Sequence, residues 1–296
     1  MNYTSLNQYL KTEYGRKLYK IAIDAGFTCP NRDGRISTGG CIFCSEGGSG
    51  DFAENKTLSI TKQIEAGKAR VSAKMRNADS SLPNYIAYFQ AFTNTYGNIE
   101  HLRNIYMEAA SHKDIAIISI GTRPDCLPPE VIELLKEINS IKPVWVELGM
   151  QTSNEETARF INRGYPLETY DKAMADLHAA NIKTITHVIL GFPQETSKDM
   201  LDSVQHAIDM GTWGIKLQLL HILKGTPLGE LYDRKPFHVL SLEEYTQILV
   251  RCVQIIPENV IIHRLTGDGP KSILIAPKWS GDKKRVLNTI NKALRD

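Results

Sequence analysis

The sequence predicts an α/β chain built on a curled parallel sheet, a partial (β/α)6 barrel with a short C-terminal appendage. Two observations carry this. Six short apolar runs, rich in β-branched residues, recur without polar alternation, as strands buried on both faces do. Between them lie segments whose apolar residues recur at helical spacing. A closed barrel of this kind has about eight such repeats. Only six fit here, so an open barrel is expected.

The expected strands are residues 20–23, 85–92, 115–120, 144–148, 184–190 and 215–222. Ile60, Ile64, Val71 and Met75 mark a first helix, and Ile99, Leu102, Ile105 and Ala109 a second. Val131, Leu134, Leu135 and Ile138 mark a third, entered through Pro128-Pro129, where the fixed φ of proline suits a first turn. Ser153 with Glu156, and Ser241 with Glu244, have the spacing of capping boxes. Leu167, Tyr170, Met174 and Leu177 form a helix after Pro166, and Met200, Leu201, Val204 and Ile208 one after Thr196. Residues 260–264 and 273–276 read as short strands before a terminal helix. Residues 1–259 are therefore expected to form the barrel, and 260–296 a basic extension packed on it. No Gly-, Pro- or Ser-rich linker divides the two.

The chain has 296 residues, 42% apolar and 23% charged, which suffices for a sizeable core. A net charge of +2 argues against a polycation as a whole but permits a local basic face. No run of 18 apolar residues exists, so no transmembrane helix is expected. The polar N-terminal stretch has no hydrophobic signal core, and a cytoplasmic location with no membrane partner is expected. Five cysteines, an odd number, argue against a disulfide framework.

Cys29, Cys41 and Cys44 fall on one glycine-rich loop directly after the first strand, the carboxyl edge where α/β enzymes place ligands. Three thiolates on one such loop suit a soft metal centre. Structural zinc and an electron-transfer iron–sulfur cluster each want four protein ligands, and no histidine lies on the loop. Three cysteines would leave one iron of a cluster open to a small molecule. Zinc, and three unrelated buried cysteines, remain the alternatives.

With these residues in place, the chain resembles the radical S-adenosylmethionine (SAM) superfamily, in particular the YtqA/YhcC-like branch near its elongator-type and coproporphyrinogen-dehydrogenase-type members. Phe43, the aromatic residue before the last cysteine, matches the superfamily motif. The gap of eleven residues between Cys29 and Cys41 departs from its usual three but is similar to that branch. Further matches are Gly26-Phe-Thr-Cys-Pro-Asn-Arg-Asp-Gly34, Tyr88-Phe-Gln-Ala-Phe-Thr-Asn-Thr95, Gly121-Thr-Arg-Pro-Asp125, Glu147-Leu-Gly-Met-Gln151, Asn162-Arg-Gly164, Leu190-Gly-Phe-Pro-Gln-Glu195 and Lys224-Gly-Thr-Pro-Leu228.

The resemblance implies a TIM-type partial barrel and a [4Fe-4S] cluster on Cys29, Cys41 and Cys44, with SAM on the fourth iron. It also implies an electron donor of flavodoxin or ferredoxin type, reductive cleavage of SAM, and a 5′-deoxyadenosyl radical that abstracts hydrogen from substrate. By the same resemblance Gln151 and Arg163 match positions that hold the SAM ribose and carboxylate. Glu147 could accept from the amine or ribose, or make an ion pair. Gln90-Ala-Phe-Thr93 replaces a Gly-Gly-Glu that holds the SAM amine in related enzymes, which moves that role toward Thr93. Gly191 would let adenine approach the strand backbone.

Arg123 and Asp125 read either as SAM or substrate contacts or as a structural pair. Cys126 and Cys252 read as buried small hydrophobes, and His187 and His221 as satisfied core histidines. Residues 260–296 carry a net charge of +5, and the segment 56–76 adds Lys62, Lys68, Arg70, Lys74 and Arg76. Such faces suit RNA phosphates, with Trp279 available to stack a base, or are simply solvated. The resemblance favours tRNA, at the wobble uridine. A small metabolite or peptide is the alternative substrate, and a non-catalytic iron–sulfur or zinc-binding protein the alternative class.

Overall fold

The structure, a computed structural model, describes residues 3–48, 50, 53–72, 75, 81–267 and 269–295. Lys74, Arg76, Asp268 and Asp296 of the expected charged faces lie outside the described residues. Helix α1 (Leu6–Tyr14), not among the expected helices, opens with a capping box between Ser5 and Gln8. Strands β1 (Tyr19–Ile23), β2 (Tyr85–Phe89), β3 (Ile115–Thr122), β4 (Val144–Gln151), β5 (Lys183–Leu190) and β6 (Gly214–Leu219) follow as expected, all parallel and in sequence order. Helices α2 (Ile60–Val71), α3 (Ile99–Ser111), α4 (Pro129–Ile141), α5 (Glu155–Phe160), α6 (Leu167–Ala179) and α7 (Ser197–Asp209) connect them. Leu102, Tyr106, Leu135, Tyr170, Met174 and Val204 bury the helical stripes against the outer face of the sheet.

Three expectations need correction. The run 215–222 is not one strand. It breaks after Leu219, and β7 (Ile222–Leu223) pairs antiparallel with β9 (Leu274–Ala276) as a small separate sheet. β8 (Ile261–Arg264), expected in the appendage, pairs parallel with β6 and gives the main sheet a seventh strand. The sheet therefore curls further than six strands allow. Finally, Ser153 does not cap α5. Asn154 does, its Oδ1 accepting from Glu156 N at 2.9 Å and Thr157 N at 3.1 Å, while Ser153 N is held by Ser203 Oγ at 2.9 Å. The other capping box is present: Ser241 caps α9 (Leu242–Ile255) with Glu244 reaching back. Helices α8 (Pro227–Arg234) and α10 (Lys283–Ala293) complete the chain.

The concave face of the sheet is filled in layers, since alternate residues of each strand point to the same side. At the amino ends, Ile86, Ile117, Trp145 and Ile185 pack with Leu10 and Leu18 under α1. His263 sits against the rings of Trp145 and Trp213 there. Above them comes a layer of Lys20, Tyr88, Ser119, Glu147, His187, Lys216 and Arg264. The uppermost layer is Ala22, Gln90, Gly121, Gly149, Ile189 and Gln218. Its small residues leave a cavity of about 730 Å³, open at the carboxyl ends of the strands.

Candidate active site

The cysteine loop roofs this cavity, and Cys29, Cys41 and Cys44 all line it. None of the three is in a disulfide. The loop is tied down by polar contacts rather than by a regular element. Arg32, which lies in the Cys29-Pro-Asn-Arg32 run but is not among the expected site residues, donates to Cys44 O at 2.9 Å and Ser45 O at 2.6 Å. A side chain on Gly40 would lie 2.8 Å from Arg32 Nε, so the glycine leaves the path open for that guanidinium, at φ +71°. Asn31 Nδ2 donates to Asn162 O at 2.7 Å and lies 3.7 Å from Cys41 Sγ, and Asn162 Nδ2 donates to Gly40 O at 2.8 Å. The loop thus rests on the turn after α5.

Burial and the neighbouring Cys44 and Cys29 sulfurs push the Cys41 thiol up to about 12, against the pull of Arg123 and Asn31. Three sulfurs in this setting become thiolates together only around a cationic centre. The donor set therefore fits a cluster held by three thiolates. Phe43 lines the cavity and packs on Phe192, ring centroids 5.9 Å apart. Gln151 lines it as well, its Oε1 buried without a hydrogen-bond partner among the described residues and its backbone at φ +69°. Thr93 is buried and also faces the cavity. These are the vacant polar positions a polar small molecule such as SAM needs beside the cysteines.

Arg163 lines the cavity, but its donors are already in use. Nε reaches Tyr165 O at 3.0 Å, Nη1 reaches Thr152 O at 2.7 Å and Met150 O at 3.2 Å, and Nη2 reaches Glu155 at 2.8 Å. One N–H of the fork is left for a ligand. Arg123 also lines the cavity and forms a two-pronged pair with Asp125 at 2.9 and 2.7 Å, so the structural pair is present at the cavity wall. Cys126 is buried, its Sγ 3.7 Å from Asp125 Oδ1, and Cys252 lies in the core. Gly191 is not among the lining residues; it packs against Leu240 and Leu220, while Ile189 faces the cavity.

Glu147 is the centre of the charged layer. It accepts from Lys20 Nζ at 3.0 Å, Ser119 Oγ at 2.7 Å and His187 Nε2 at 2.8 Å, and from Lys216. Despite complete burial, Lys20, Lys216 and His187 hold its carboxyl well below the usual range. Burial and Lys216 lower His187 to about 4, so the imidazole is neutral at pH 7. His187 is satisfied, as expected, by Glu147 and Gln218, but it and His221 line the cavity rather than the packed core. The lysines went unnoticed because an isolated Lys in a strand reads as a solvent-facing position; in a barrel the inner face is buried.

Two family models match the chain: Radical SAM superfamily over residues 32–207 and Radical_SAM C-terminal domain over 212–296. The chain belongs to the radical SAM superfamily. Members use a [4Fe-4S] cluster and SAM, and the three thiols and vacant polar groups described above fit both. The chain is 42% identical to uncharacterized protein YtqA of Bacillus subtilis, over 99% of this chain and 90% of that one. It is 35% identical to protein YhcC of Escherichia coli, over 97% and 90%. A more distant relative, tRNA uridine(34) acetyltransferase of Methanocaldococcus jannaschii, is 29% identical over 62% of this chain and 33% of its own. Among solved structures, Methanocaldococcus infernus Elp3 superposes with a TM-score of 0.68 at 17% identity, covering 93% of this chain and 63% of that one, a likeness of fold. No helix among the described residues is long and apolar enough to cross a membrane.

Proposed function

We propose that this radical SAM enzyme modifies tRNA at the wobble uridine, installing an aminomethyl-type side chain. When bound, the cluster and SAM supply one-electron cleavage of the sulfonium and a hydrogen-abstracting radical, with an external flavodoxin- or ferredoxin-type protein as donor. The chain's own residues bind and orient. Cys29, Cys41 and Cys44 hold the cluster, and Arg32 and Asn31 hold their loop. Gln151, Thr93 and the remaining Arg163 N–H face the polar groups of SAM. The apolar wall of Phe43, Phe92 and Ile189 keeps water from the reacting atoms.

The observation that carries the tRNA reading is the place of Lys283. It lines the cavity and also stands exposed at the start of α10, beside exposed Lys284 and Arg285. The basic face and the reaction cavity are therefore one continuous surface, as a polyanion that inserts one base requires. The similarity to a tRNA uridine(34) enzyme supports the same substrate. Trp279 does not contribute the stacking surface expected of it: its indole N–H donates to Leu240 O at 2.9 Å and its ring packs on Tyr245. Arg264, counted with the basic extension, lines the cavity instead.

Nucleoside analysis of bulk tRNA from a deletion strain tests the proposal. Loss of a wobble-uridine modification supports it, and an unchanged profile overturns it. Anaerobic assays with SAM and dithionite test turnover separately, through 5′-deoxyadenosine.

A further inference from the structure

The charged layer beneath the cysteine loop is out of balance. Among the described residues lining the cavity, Glu147 supplies the sole carboxylate. Lys20, Lys216 and Arg264 line the same cavity. Lys20 and Lys216 both pair with Glu147, and each ammonium also lies 4.6 Å from the Tyr88 ring centroid. Lys216 is 3% exposed and its Nζ is 3.2 Å from the Tyr88 hydroxyl. Arg264 has no carboxylate within ion-pair distance among the described residues, and it follows Lys216 in register on the adjoining strand. His187 is turned to Glu147 on one side and meets Gln218 at 3.3 Å on the other, so it adds no negative charge.

One carboxylate cannot balance three cations, and a surplus cation in a desolvated pocket is costly unless an anion joins it. Burial draws the Lys216 ammonium down against the pull of Glu147, so a further anion beside it would help hold its charge. From this juxtaposition we infer that the inner end of the cavity, below the cysteine loop, is an oxyanion subsite. There Arg264, Lys216 and Lys20 receive a carboxylate or phosphate carried by the substrate. The guanidinium of Arg264 supplies a planar fork for two oxygens, and the ammonium groups supply point charges. The inference rests on the reading of this cavity as the substrate's pocket. It adds that the part of the substrate reaching the reacting atoms is itself acidic, whether attached to a base or free.

The test uses cluster-loaded protein and reads thermal stability, not turnover. Acetate and inorganic phosphate are titrated at constant ionic strength against chloride. A saturable rise in Tm is expected, with the better of the two anions naming the source. Arg264→Gln should raise the concentration for half-maximal effect about tenfold, the loss of one charge-assisted pair. Should that variant fail to fold, Arg264→Lys keeps the charge without the fork and should show a smaller loss. Lys198→Gln, exposed on α7 and not among the lining residues, should leave the titration unchanged.

The inference is overturned by a response equal to chloride, by one that Arg264→Gln leaves intact, or by one that SAM abolishes, which would assign the subsite to SAM's own carboxylate. Asp268 lies between the lining residues Gly267 and Gly269 and outside the described ones. If the response appears only in Asp268→Asn, the chain supplies its own counter-ion and the inference falls. A deletion strain with unchanged tRNA and a protein with saturable anion binding would separate this subsite from the tRNA reading.

Discussion

Arg123 and Arg163 are coupled through a single aromatic ring. Each guanidinium carbon lies 4.8 Å from the Tyr165 ring centroid, and Arg123 Nη1 donates to the Arg163 carbonyl at 3.0 Å. Arg163 in turn binds the carbonyls of Met150, Thr152 and Tyr165. Two buried cations thus hold the end of β4 and the turn after α5, the seat of the cysteine loop.

Arg163→Ala should therefore act first on stability. It takes their donor from the Thr152 and Tyr165 carbonyls and one of two donors from Met150 O and Glu155, a loss of about 3 kcal/mol. Denaturant unfolding checks the magnitude. A variant with wild-type stability and only a raised SAM requirement would show that the contact with SAM matters more than the scaffold.

Cys44→Ala should leave a soluble, folded chain that lacks iron–sulfur absorbance and releases no 5′-deoxyadenosine. Its side chain is on a loop and not in the core, so folding has little to lose. Absorbance and product analysis after anaerobic reconstitution decide it, and retained cleavage would remove Cys44 from the ligand set.

Glu147→Gln should destabilise the protein by about 3–5 kcal/mol, because it strands Lys20 and Lys216 without a counter-charge. Adding Lys216→Met to that variant should recover part of the loss. A thermodynamic cycle over the four proteins measures the coupling; purely additive effects would contradict it.

Burial raises the Glu195 carboxyl from 4.5 to about 7, while its hydrogen bond from Thr152 pulls the other way. A carboxyl raised on folding stabilises fully below its unfolded value, and that contribution is lost as pH rises through about 7. Tm should fall across the window from 4.5 to about 7, and Glu195→Gln should flatten that fall. An equally steep profile in the variant would point to another group.

Neutralising Lys283, Lys284 and Arg285 together should weaken tRNA binding and reduce its salt slope by about 0.7–0.9 for each phosphate no longer neutralised. Filter binding across a salt series reads both. Unchanged affinity and slope would leave the basic face as a solvated surface.

The strands were legible because the outer face of a parallel sheet and its inner lining are both buried, so apolar β-branched runs stand out. The three cysteines were legible because thiols rarely cluster without a reason. What escaped is the polar content of the barrel. Lys20 and Lys216 interrupt apolar strands by a single residue each, and nothing local separates an inward lysine from an outward one. Residues 260–264 read as a strand, but the place of β8 in the main sheet escaped because its partner strand lies about 40 residues away, across β7 and two helices. Asn154 outcompeted Ser153 as a cap because Ser203, remote in sequence, claimed the serine backbone.

The helix at the start of the chain closes the amino-terminal end of the barrel with Tyr9, Trp145 and Trp213 stacked beneath it. This makes the cavity a cul-de-sac. Whatever enters last would block the exit of what entered first, so a bulky molecule arriving over the mouth would have to depart before one held deeper could be exchanged. The floor of the barrel thereby imposes an order of events at its opening.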